Sequence, residues 1–149
     1  QRKQALNGAY VIDDTYNANP ASMIAGLRVL AGCPGRRLAI LAPMGELGAA
    51  HDAGHQQVGA EAARLRIPLV LVMGRGELAG AEHLIAQGAT SAAVTCSVSV
   101  DIVTDRPAAV VRAQALMAGG ATTILVKGSR SQGLETVVEG LLAGGIRAC

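Results

Sequence analysis

Aromatic side chains are nearly missing from this sequence of 149 residues, which has two tyrosines and neither phenylalanine nor tryptophan. Proteins that bind single-stranded nucleic acid stack the bases on aromatic rings and follow the backbone with a basic groove. A formal net charge of +2 gives no sign of such a groove. We therefore expect no nucleic-acid partner.

Long apolar runs are also missing, although half of the residues are hydrophobic. A membrane-spanning helix needs about 20 apolar residues, whereas the apolar runs here, such as residues 69–73, have the length of a strand. The first residues, Gln-Arg-Lys-Gln, are not followed by the apolar stretch of a signal peptide. These features predict a soluble, intracellular protein without a membrane span.

Cysteine is scarce, and Cys33, Cys96 and Cys149 are an odd, widely spaced set. Such a set favours a reducing compartment over a disulfide framework, and no pair has the spacing of zinc ligands. His51 and His55 lie four residues apart in a predicted helix, but no third metal ligand is evident. We interpret these histidines as solvated or capping, predict no metal site, and find no Ser/His/Asp or Cys/His arrangement that indicates a catalytic residue.

No Gly-Lys-Ser or Gly-Lys-Thr sequence occurs, so the chain has no P-loop to hold ATP phosphates. Residues 74–79, Gly-Arg-Gly-Glu-Leu-Ala, fit a dinucleotide-binding fingerprint. However, the next predicted strand ends without the expected acidic residue, and Glu77 would lie near the pyrophosphate. A tight strand-to-helix turn is the favoured interpretation. A free-standing nucleotide- or dinucleotide-binding Rossmann-like module is the alternative.

The sequence does contain a regular alternation of strand and helix patterns. Predicted strands cover residues 9–14, 38–42, 69–73, 91–95 and 122–126, and predicted helices cover 20–31, 50–65, 77–87, 105–117 and 132–142. Because the strands are continuous Val/Ile/Leu runs, we expect a mostly parallel sheet with helices on both faces. Asn7-Gly8 predicts a hairpin that adds one antiparallel edge strand. The prediction is one three-layer α/β domain over residues 1–149, with a Rossmann-like sheet of about six strands.

Two helices carry more detailed expectations. Gly88 is expected to end the helix over 77–87. In the helix over 105–117, Val110, Val111 and Ala115 are expected on the face toward the core.

Polar side chains gather after three of the predicted strands, in residues 13–17 (Asp-Asp-Thr-Tyr-Asn), 43–48 (Pro-Met-Gly-Glu-Leu-Gly) and 127–131 (Lys-Gly-Ser-Arg-Ser). Carboxyl ends of parallel strands share one edge of a sheet, where ligands bind. Asn19 and Pro20 are explained as the N-cap and first residue of a helix. The acidic pair Asp13-Asp14 has no such simple explanation. One carboxylate could cap the turn while the other is solvated, or a carboxylate could bind ribose hydroxyls.

The segment after the last strand carries Lys127, one of only two lysines. Gly128 would let the backbone approach a ligand, and Ser129 with Gln132 would form a capping box at a helix N-terminus, where anions bind. The segment therefore predicts a site for a phosphate or carboxylate of a substrate. A plain helix cap with two solvated cations is the other interpretation.

The three polar segments together resemble the C-terminal domain of the Mur ligase family. The resemblance rests on Asp-Asp-Thr-Tyr-Asn-Ala-Asn-Pro-Ala-Ser-Met at 13–23, Met-Gly-Glu-Leu-Gly at 44–48 with His55 downstream, and Val-Lys-Gly-Ser-Arg-Ser at 126–131. It is most specific for the type of member that joins D-alanyl-D-alanine to UDP-N-acetylmuramoyl-tripeptide. The middle segment departs from the family, which usually has Gly-Asp-Met where 42–44 read Ala-Pro-Met. Only Glu46 is kept as a candidate there.

The resemblance implies an ATP-dependent amide ligase of peptidoglycan precursor synthesis, with ATP and magnesium as cofactors. This domain would close over ATP and the incoming dipeptide. The residues expected to contact nucleotide are Asp14, Tyr16 and Asn17, and those expected to contact the dipeptide are Lys127, Ser129, Arg130 and Glu46.

The resemblance also implies that the P-loop, the magnesium ligands and the UDP-sugar pocket lie in preceding N-terminal and central domains, which this chain does not contain. Those domains would be its partners, with UDP-N-acetylmuramoyl-tripeptide and D-alanyl-D-alanine as substrates. The chain alone is expected to be inactive. The whole enzyme is expected to be a monomer in the bacterial cytoplasm.

Overall fold

The computed structural model of the chain describes residues 1–5, 8–92, 98–118 and 122–144. Six strands alternate with five helices in these ranges. The strands are β1 Arg2–Gln4, β2 Tyr10–Asp14, β3 Arg36–Leu41, β4 Leu69–Val72, β5 Val100–Val103 and β6 Thr122–Lys127. The helices are α1 Pro20–Ala31, α2 His51–Arg64, α3 Glu82–Ala92, α4 Arg106–Met117 and α5 Glu135–Gly144.

The strands form one sheet in the order β1-β2-β6-β3-β4-β5. Only the β1–β2 pair is antiparallel, which confirms the predicted edge strand. Gly8 of the predicted hairpin has a left-handed φ of 87°, and Asn7 lies outside the described residues. In register, Lys127 of β6 faces Asp14 on one side and Leu41 on the other.

The sheet divides the core into two apolar layers, as the three-layer prediction requires. One layer contains sheet residues with α4 and α5, and the other contains sheet residues with α1, α2 and α3. Every residue of β4 and β6 is buried, because helices cover both faces of these central strands. None of the helices in the described ranges combines the length and apolarity of a bilayer-spanning segment.

Helix α1 begins as the sequence predicts. The Asn19 side chain accepts a hydrogen bond from the Ser22 backbone N–H at 2.8 Å, and the Ser22 hydroxyl accepts one from the Asn19 N–H at 3.1 Å. Pro20 occupies the first helical turn, where its missing N–H costs nothing. This reciprocal cap fixes where the chain leaves the carboxyl edge of β2.

The prediction for the third helix was wrong in its bounds. The helix is α3, Glu82–Ala92, and a short 3-10 turn at Gly76–Leu78 precedes it. Gly88 lies inside α3 and does not end it, because its missing side chain lets α3 touch α2: a Cβ there would lie 1.9 Å from the Gln56 carbonyl oxygen. The strand predicted over 91–95 was also wrong where the structure describes it, since residues 91–92 are helical and the strand is β5.

The predicted core face of α4 was wrong in part. Val111 is 66% exposed and Ala115 is exposed, while Val110 is half-buried. The buried stripe of α4 consists of Arg106, Ala109, Ala113 and Met117. Val110 packs against the edge of the core, where its side chain lies next to Gly140 of α5, whereas Val111 points to solvent. Sequence hydrophobicity alone favours the valines.

The last helix also starts later than predicted. Residues Arg130–Gln132 form a short 3-10 turn, and Gly133 adopts a left-handed φ of 65° before α5 begins at Glu135. The polar segment after β6 is therefore a longer loop than the sequence indicates.

Candidate functional site

The three polar segments meet at the carboxyl edge of the sheet, because β2, β6 and β3 are neighbours. Backbone hydrogen bonds join the loops after β3 and β6. The Ala42 N–H donates to the Lys127 carbonyl at 3.1 Å, and the Ser129 N–H donates to the Pro43 carbonyl at 3.2 Å. The Gly45 N–H donates to the Ser129 hydroxyl oxygen at 2.7 Å. The predicted convergence of these segments is confirmed.

Lys127 links the segments after β2 and β6. Its ammonium lies 2.7 Å from a carboxylate oxygen of Asp14 and donates to the Asn17 carbonyl at 2.9 Å. The Lys127 side chain is only 3% exposed, whereas that of Asp14 is 44% exposed. The buried ammonium therefore fixes one oxygen of a carboxylate that solvent or a ligand can still reach.

The adjacent Asp13 has a different environment. Its carboxylate accepts hydrogen bonds from the Lys3 ammonium on β1 and from the Thr15 hydroxyl, both at 2.8 Å. Burial raises the pKa of Asp13, but the hydrogen bonds from Lys3 and Thr15 outweigh it, so its pKa is lowered from the ordinary value. The Asp13 side chain is 18% exposed, against 44% for Asp14, so of the acidic pair Asp14 is the carboxylate more available to a ligand.

Tyr16 and Arg130 form an exposed pair beside the Asp14 carboxylate. The Tyr16 ring is 74% exposed, and the Arg130 guanidinium carbon lies 5.1 Å from its centroid. A cation over an aromatic face at this distance is attracted by the ring. Asn17 is exposed and uses its side-chain oxygen to accept the Ala18 N–H at 2.8 Å. The fold does not bury the tyrosine, so its surface is free to contact a ligand.

The capping box predicted for Ser129 and Gln132 was wrong. The Ser129 hydroxyl binds the Gly45 N–H, and no side-chain cap is made to the 3-10 turn. Gln132 is 1% exposed, and its side-chain oxygen accepts the Arg75 N–H at 2.8 Å. Gly128 has a packing role, because a Cβ there would lie 2.8 Å from the Ala42 Cβ. The loop after β6 is therefore held by contacts with the loops after β3 and β4.

The loop after β3 depends on a buried histidine. His55 Nε2 accepts the Met44 N–H at 2.9 Å, and Nδ1 donates to the His51 carbonyl at 2.6 Å. Burial is the largest influence and lowers the pKa of His55, which favours the neutral ring that these bonds require. Of the two interpretations of His55, solvated or capping, the solvated one was wrong, since His55 is fully buried and accepts the backbone N–H of Met44. Glu46, at the tip of this loop, is exposed with a left-handed φ of 61°.

The loop after β4 does not have the geometry of a dinucleotide fingerprint. A regular helix starts only at Glu82, and the carboxylate of this residue accepts the N–H groups of Gly74 and Gly80 at 3.0 and 3.1 Å. A buried carboxylate thus occupies the backbone donors that a pyrophosphate would use. The alternative of a dinucleotide-binding module is not favoured.

The side chains that could ligate a metal ion lie apart from one another in the described ranges. No group of three or more His, Cys, Asp or Glu side chains lies close enough there to hold a metal ion.

Comparison with known proteins decides the family. The family model described as "Mur ligase, glutamate ligase domain" matches residues 1–130. The chain belongs to the Mur ligase family. Among curated Mur ligases, it is 38% identical over 144 residues to the UDP-N-acetylmuramoyl-tripeptide–D-alanyl-D-alanine ligase of Escherichia coli K12, covering 95% of this chain and 29% of that protein. It is 37% identical to the ligase of the same name from Mycobacterium tuberculosis H37Rv, covering 92% and 29%.

Solved Mur ligase structures share the fold. A crystal structure of MurF from Acinetobacter baumannii superposes with a TM-score of 0.79 at 27% identity, covering 95% of this chain and 29% of that one. MurF ligase from Thermotoga maritima in complex with ADP also gives a TM-score of 0.79, at 21% identity and with 100% and 31% coverage, and supports the fold alone. The chain thus spans less than a third of the length of these relatives.

Proposed function

We propose that this chain is the C-terminal domain of an ATP-dependent ligase that joins D-alanyl-D-alanine to UDP-N-acetylmuramoyl-tripeptide. The observation that carries the proposal is the carboxyl-edge site, where the reachable Asp14 carboxylate, held by Lys127, lies beside the exposed Tyr16–Arg130 pair. The names and 35–38% identities of the curated relatives from E. coli and the mycobacteria support this choice of reaction.

Asp14, Tyr16 and Asn17 are proposed to contact the nucleotide. Lys127 donates a hydrogen bond to one oxygen of the Asp14 carboxylate. The remaining lone pairs of this carboxylate can accept hydrogen bonds from the hydroxyls of a ribose. The exposed ring of Tyr16 offers a flat apolar surface to the base, and the amide N–H₂ of Asn17 adds hydrogen-bond donors.

The dipeptide is proposed to bind next to the nucleotide, at Ser129, Arg130 and Glu46, since Arg130 contacts the Tyr16 ring. Arg130 offers a guanidinium to the dipeptide carboxylate, and Glu46 offers a carboxylate to its ammonium. Lys127 is almost fully buried, so we propose that it acts on this site through the Asp14 carboxylate and through the positive charge it places at the edge.

The proposed reaction has two steps. An oxygen of the tripeptide carboxylate attacks the γ-phosphorus of ATP. The bond to the β-phosphate oxygen breaks, ADP leaves, and the tripeptide becomes an acyl phosphate. The amine of D-alanyl-D-alanine then attacks the acyl carbon, and the tetrahedral intermediate loses phosphate and a proton to give the amide. Closure of this domain over ATP would exclude water, which would otherwise hydrolyse the acyl phosphate.

The rest of the machinery is proposed to lie in N-terminal and central domains of a longer polypeptide, including the P-loop, the magnesium ligands and the UDP-sugar pocket. The proposed substrates, ATP and a UDP-linked peptide, are consistent with an enzyme of the bacterial cytoplasm. We propose that the enzyme is a monomer. The isolated chain is proposed to be inactive.

The test is a ligase assay with the full-length polypeptide that carries this chain. We expect ADP release and amide formation only when ATP, UDP-N-acetylmuramoyl-tripeptide and D-alanyl-D-alanine are all present, and neither with the chain alone. Replacement of D-alanyl-D-alanine by a single amino acid provides the specificity control. Product formation with a single amino acid but not with the dipeptide would reject this choice of substrate.

A further inference from the structure

Arg106 is a buried arginine that forms no ion pair with any residue the structure describes. It is the first residue of α4 and is 7% exposed. Its Nε donates to the Gln132 carbonyl at 2.8 Å and its Nη1 to the Met73 carbonyl at 3.2 Å, while Nη2 is buried without a hydrogen-bond partner in the described ranges. Burying an arginine costs desolvation free energy, and no ion pair offsets that cost here: the guanidinium bonds are made to carbonyl groups, and Asp105 contributes only through its charge. Its presence therefore calls for another explanation.

The two carbonyls that Arg106 binds belong to different loops of the carboxyl edge. Met73 follows β4, and Gln132 lies in the loop of residues 128–133 that leaves β6. Strand β3 lies between β6 and β4. The 128–133 loop therefore crosses the end of β3, and Arg106 fastens the far end of this loop to the end of β4.

The 128–133 loop is attached at two further points. Near its start, Ser129 is bonded to the Pro43 carbonyl and to the Gly45 N–H. Near its end, the Gln132 side chain accepts the Arg75 N–H at 2.8 Å. Ser129, one proposed dipeptide contact, forms the first of these attachments, and Arg130, the other, lies between them. The orientation of both residues therefore depends on how the loop is attached.

We propose that Arg106 is a positioning residue, which holds the 128–133 loop so that Ser129 and Arg130 can receive the amine substrate. This inference rests on the proposed function. Arg106 does not contact the substrate itself, because its guanidinium is enclosed and its bonds are made to the Gln132 and Met73 carbonyls.

Electrostatics makes the Gln132 carbonyl important for this arrangement. Burial, and next the charge of Arg75, lower the pKa of Arg106, while the charge of Asp105 opposes them and is outweighed. Arg75 also approaches the same loop, since a Cβ on Gly133 would lie 2.8 Å from its Nη1. The two cations repel each other, so Arg106 depends on its hydrogen bonds to the Gln132 and Met73 carbonyls to stay in place. The same bonds hold the 128–133 loop against the end of β4.

The experiment compares Arg106→Met with Arg112→Met in the full-length polypeptide. Methionine keeps much of the apolar stem of Arg106 and removes its donors. Arg112 lies on the same helix, is 43% exposed and pairs with Asp101 at 2.7 Å, so it is a matched control for loss of an α4 arginine. Two quantities are measured: hydrogen exchange of the 128–133 amides, and the KM values for D-alanyl-D-alanine, ATP and UDP-N-acetylmuramoyl-tripeptide.

We expect Arg106→Met to speed exchange in the 128–133 loop and to raise the KM for D-alanyl-D-alanine by about tenfold to a hundredfold. The KM values for the other two substrates should stay unchanged, and Arg112→Met should resemble the wild type in every measurement. Arg106→Lys keeps a charge and can still donate to a carbonyl, so it should give an intermediate KM. It also provides the test if Arg106→Met does not fold.

Unchanged exchange in the 128–133 loop would overturn the inference. So would faster exchange with no change in KM, or equal increases in all three KM values, which a general loss of structure would cause. If the wild-type polypeptide forms no amide at all, the proposed function fails and the substrate role of Arg106 fails with it. The exchange measurement would then separately decide whether Arg106 holds the loop.

Discussion

The two partners of the Asp14–Lys127 pair should contribute unequally to stability. The Lys127 side chain is 3% exposed and the Asp14 side chain 44% exposed. Asp14→Ala therefore leaves a buried ammonium with one described acceptor, the Asn17 carbonyl. Lys127→Met leaves a carboxylate that water can hydrate, and it keeps the apolar stem that packs near Gly26.

These exposures set the expected magnitudes. Removing one partner of a fully buried ion pair costs about 3–5 kcal/mol. Because Asp14 is half-exposed, water can enter its place, and we expect Asp14→Ala to lower the free energy of unfolding by about 2 kcal/mol. Lys127→Met removes a partly screened ion pair and the hydrogen bond to the Asn17 carbonyl, and water can hydrate both partners left behind, so it should lower the free energy of unfolding by about 0–1 kcal/mol.

Urea unfolding of the chain, followed by circular dichroism at pH 7, measures both values. The double variant is the control: since it has no buried ammonium, it should be more stable than Asp14→Ala alone. The reasoning would be refuted if Lys127→Met cost as much as Asp14→Ala, or if the two losses simply added.

Three further predictions concern other parts of the molecule. The pKa of His55 in the folded protein is lowered from 6.5. Below pH 6.5 the unfolded chain therefore binds more protons than the folded chain, and the free energy of unfolding should fall by up to about 1.4 kcal/mol per pH unit. His55→Gln should flatten this pH dependence in urea titrations, and an unchanged slope would contradict the assignment. Gly88→Ala should lower the free energy of unfolding by about 3 kcal/mol through its clash with the Gln56 backbone, whereas Gly32→Ala, with only ordinary contacts, should stay within about 0.5 kcal/mol of the wild type. Tyr16→Ala should leave the unfolding midpoint unchanged but raise the KM for ATP of the full-length polypeptide, and an unchanged KM would argue against its nucleotide contact.

Local signals in the sequence were enough to predict most of the fold. Helix α1 matches its predicted bounds because Asn19, Pro20 and the following apolar spacing all act within a few residues. The edge strand was predicted from Asn7-Gly8, and the buried strands from continuous apolar runs. The bounds of α3 and the face of α4 were wrong because they depend on contacts between elements. Gly88 is required by contact with α2, and the buried face of α4 is set by packing against the sheet and α5.

The location of the candidate site was predictable, but its internal bonding was not. Strand ends at Asp14 and Lys127 converge because the strands are parallel, which the sequence indicates. The bond between those side chains joins residues 113 positions apart, and it depends on the register of β2 against β6. His55 and Arg106 act through backbone groups of other loops, for which no local pattern exists. The nucleotide and dipeptide roles of the candidate residues stay predictions.

The most direct test of the central claim compares Asp14→Ala with Asp13→Ala in the full-length polypeptide. The two residues are adjacent and chemically identical, but Asp13 is bonded to Lys3 and Thr15, whereas Asp14 is open to a ligand. We predict that Asp14→Ala raises the KM for ATP and lowers kcat in the ligase assay, by about tenfold or more combined, while Asp13→Ala stays near the wild type. Equal behaviour of the two variants would contradict the proposal that the Asp14 carboxylate contacts the nucleotide.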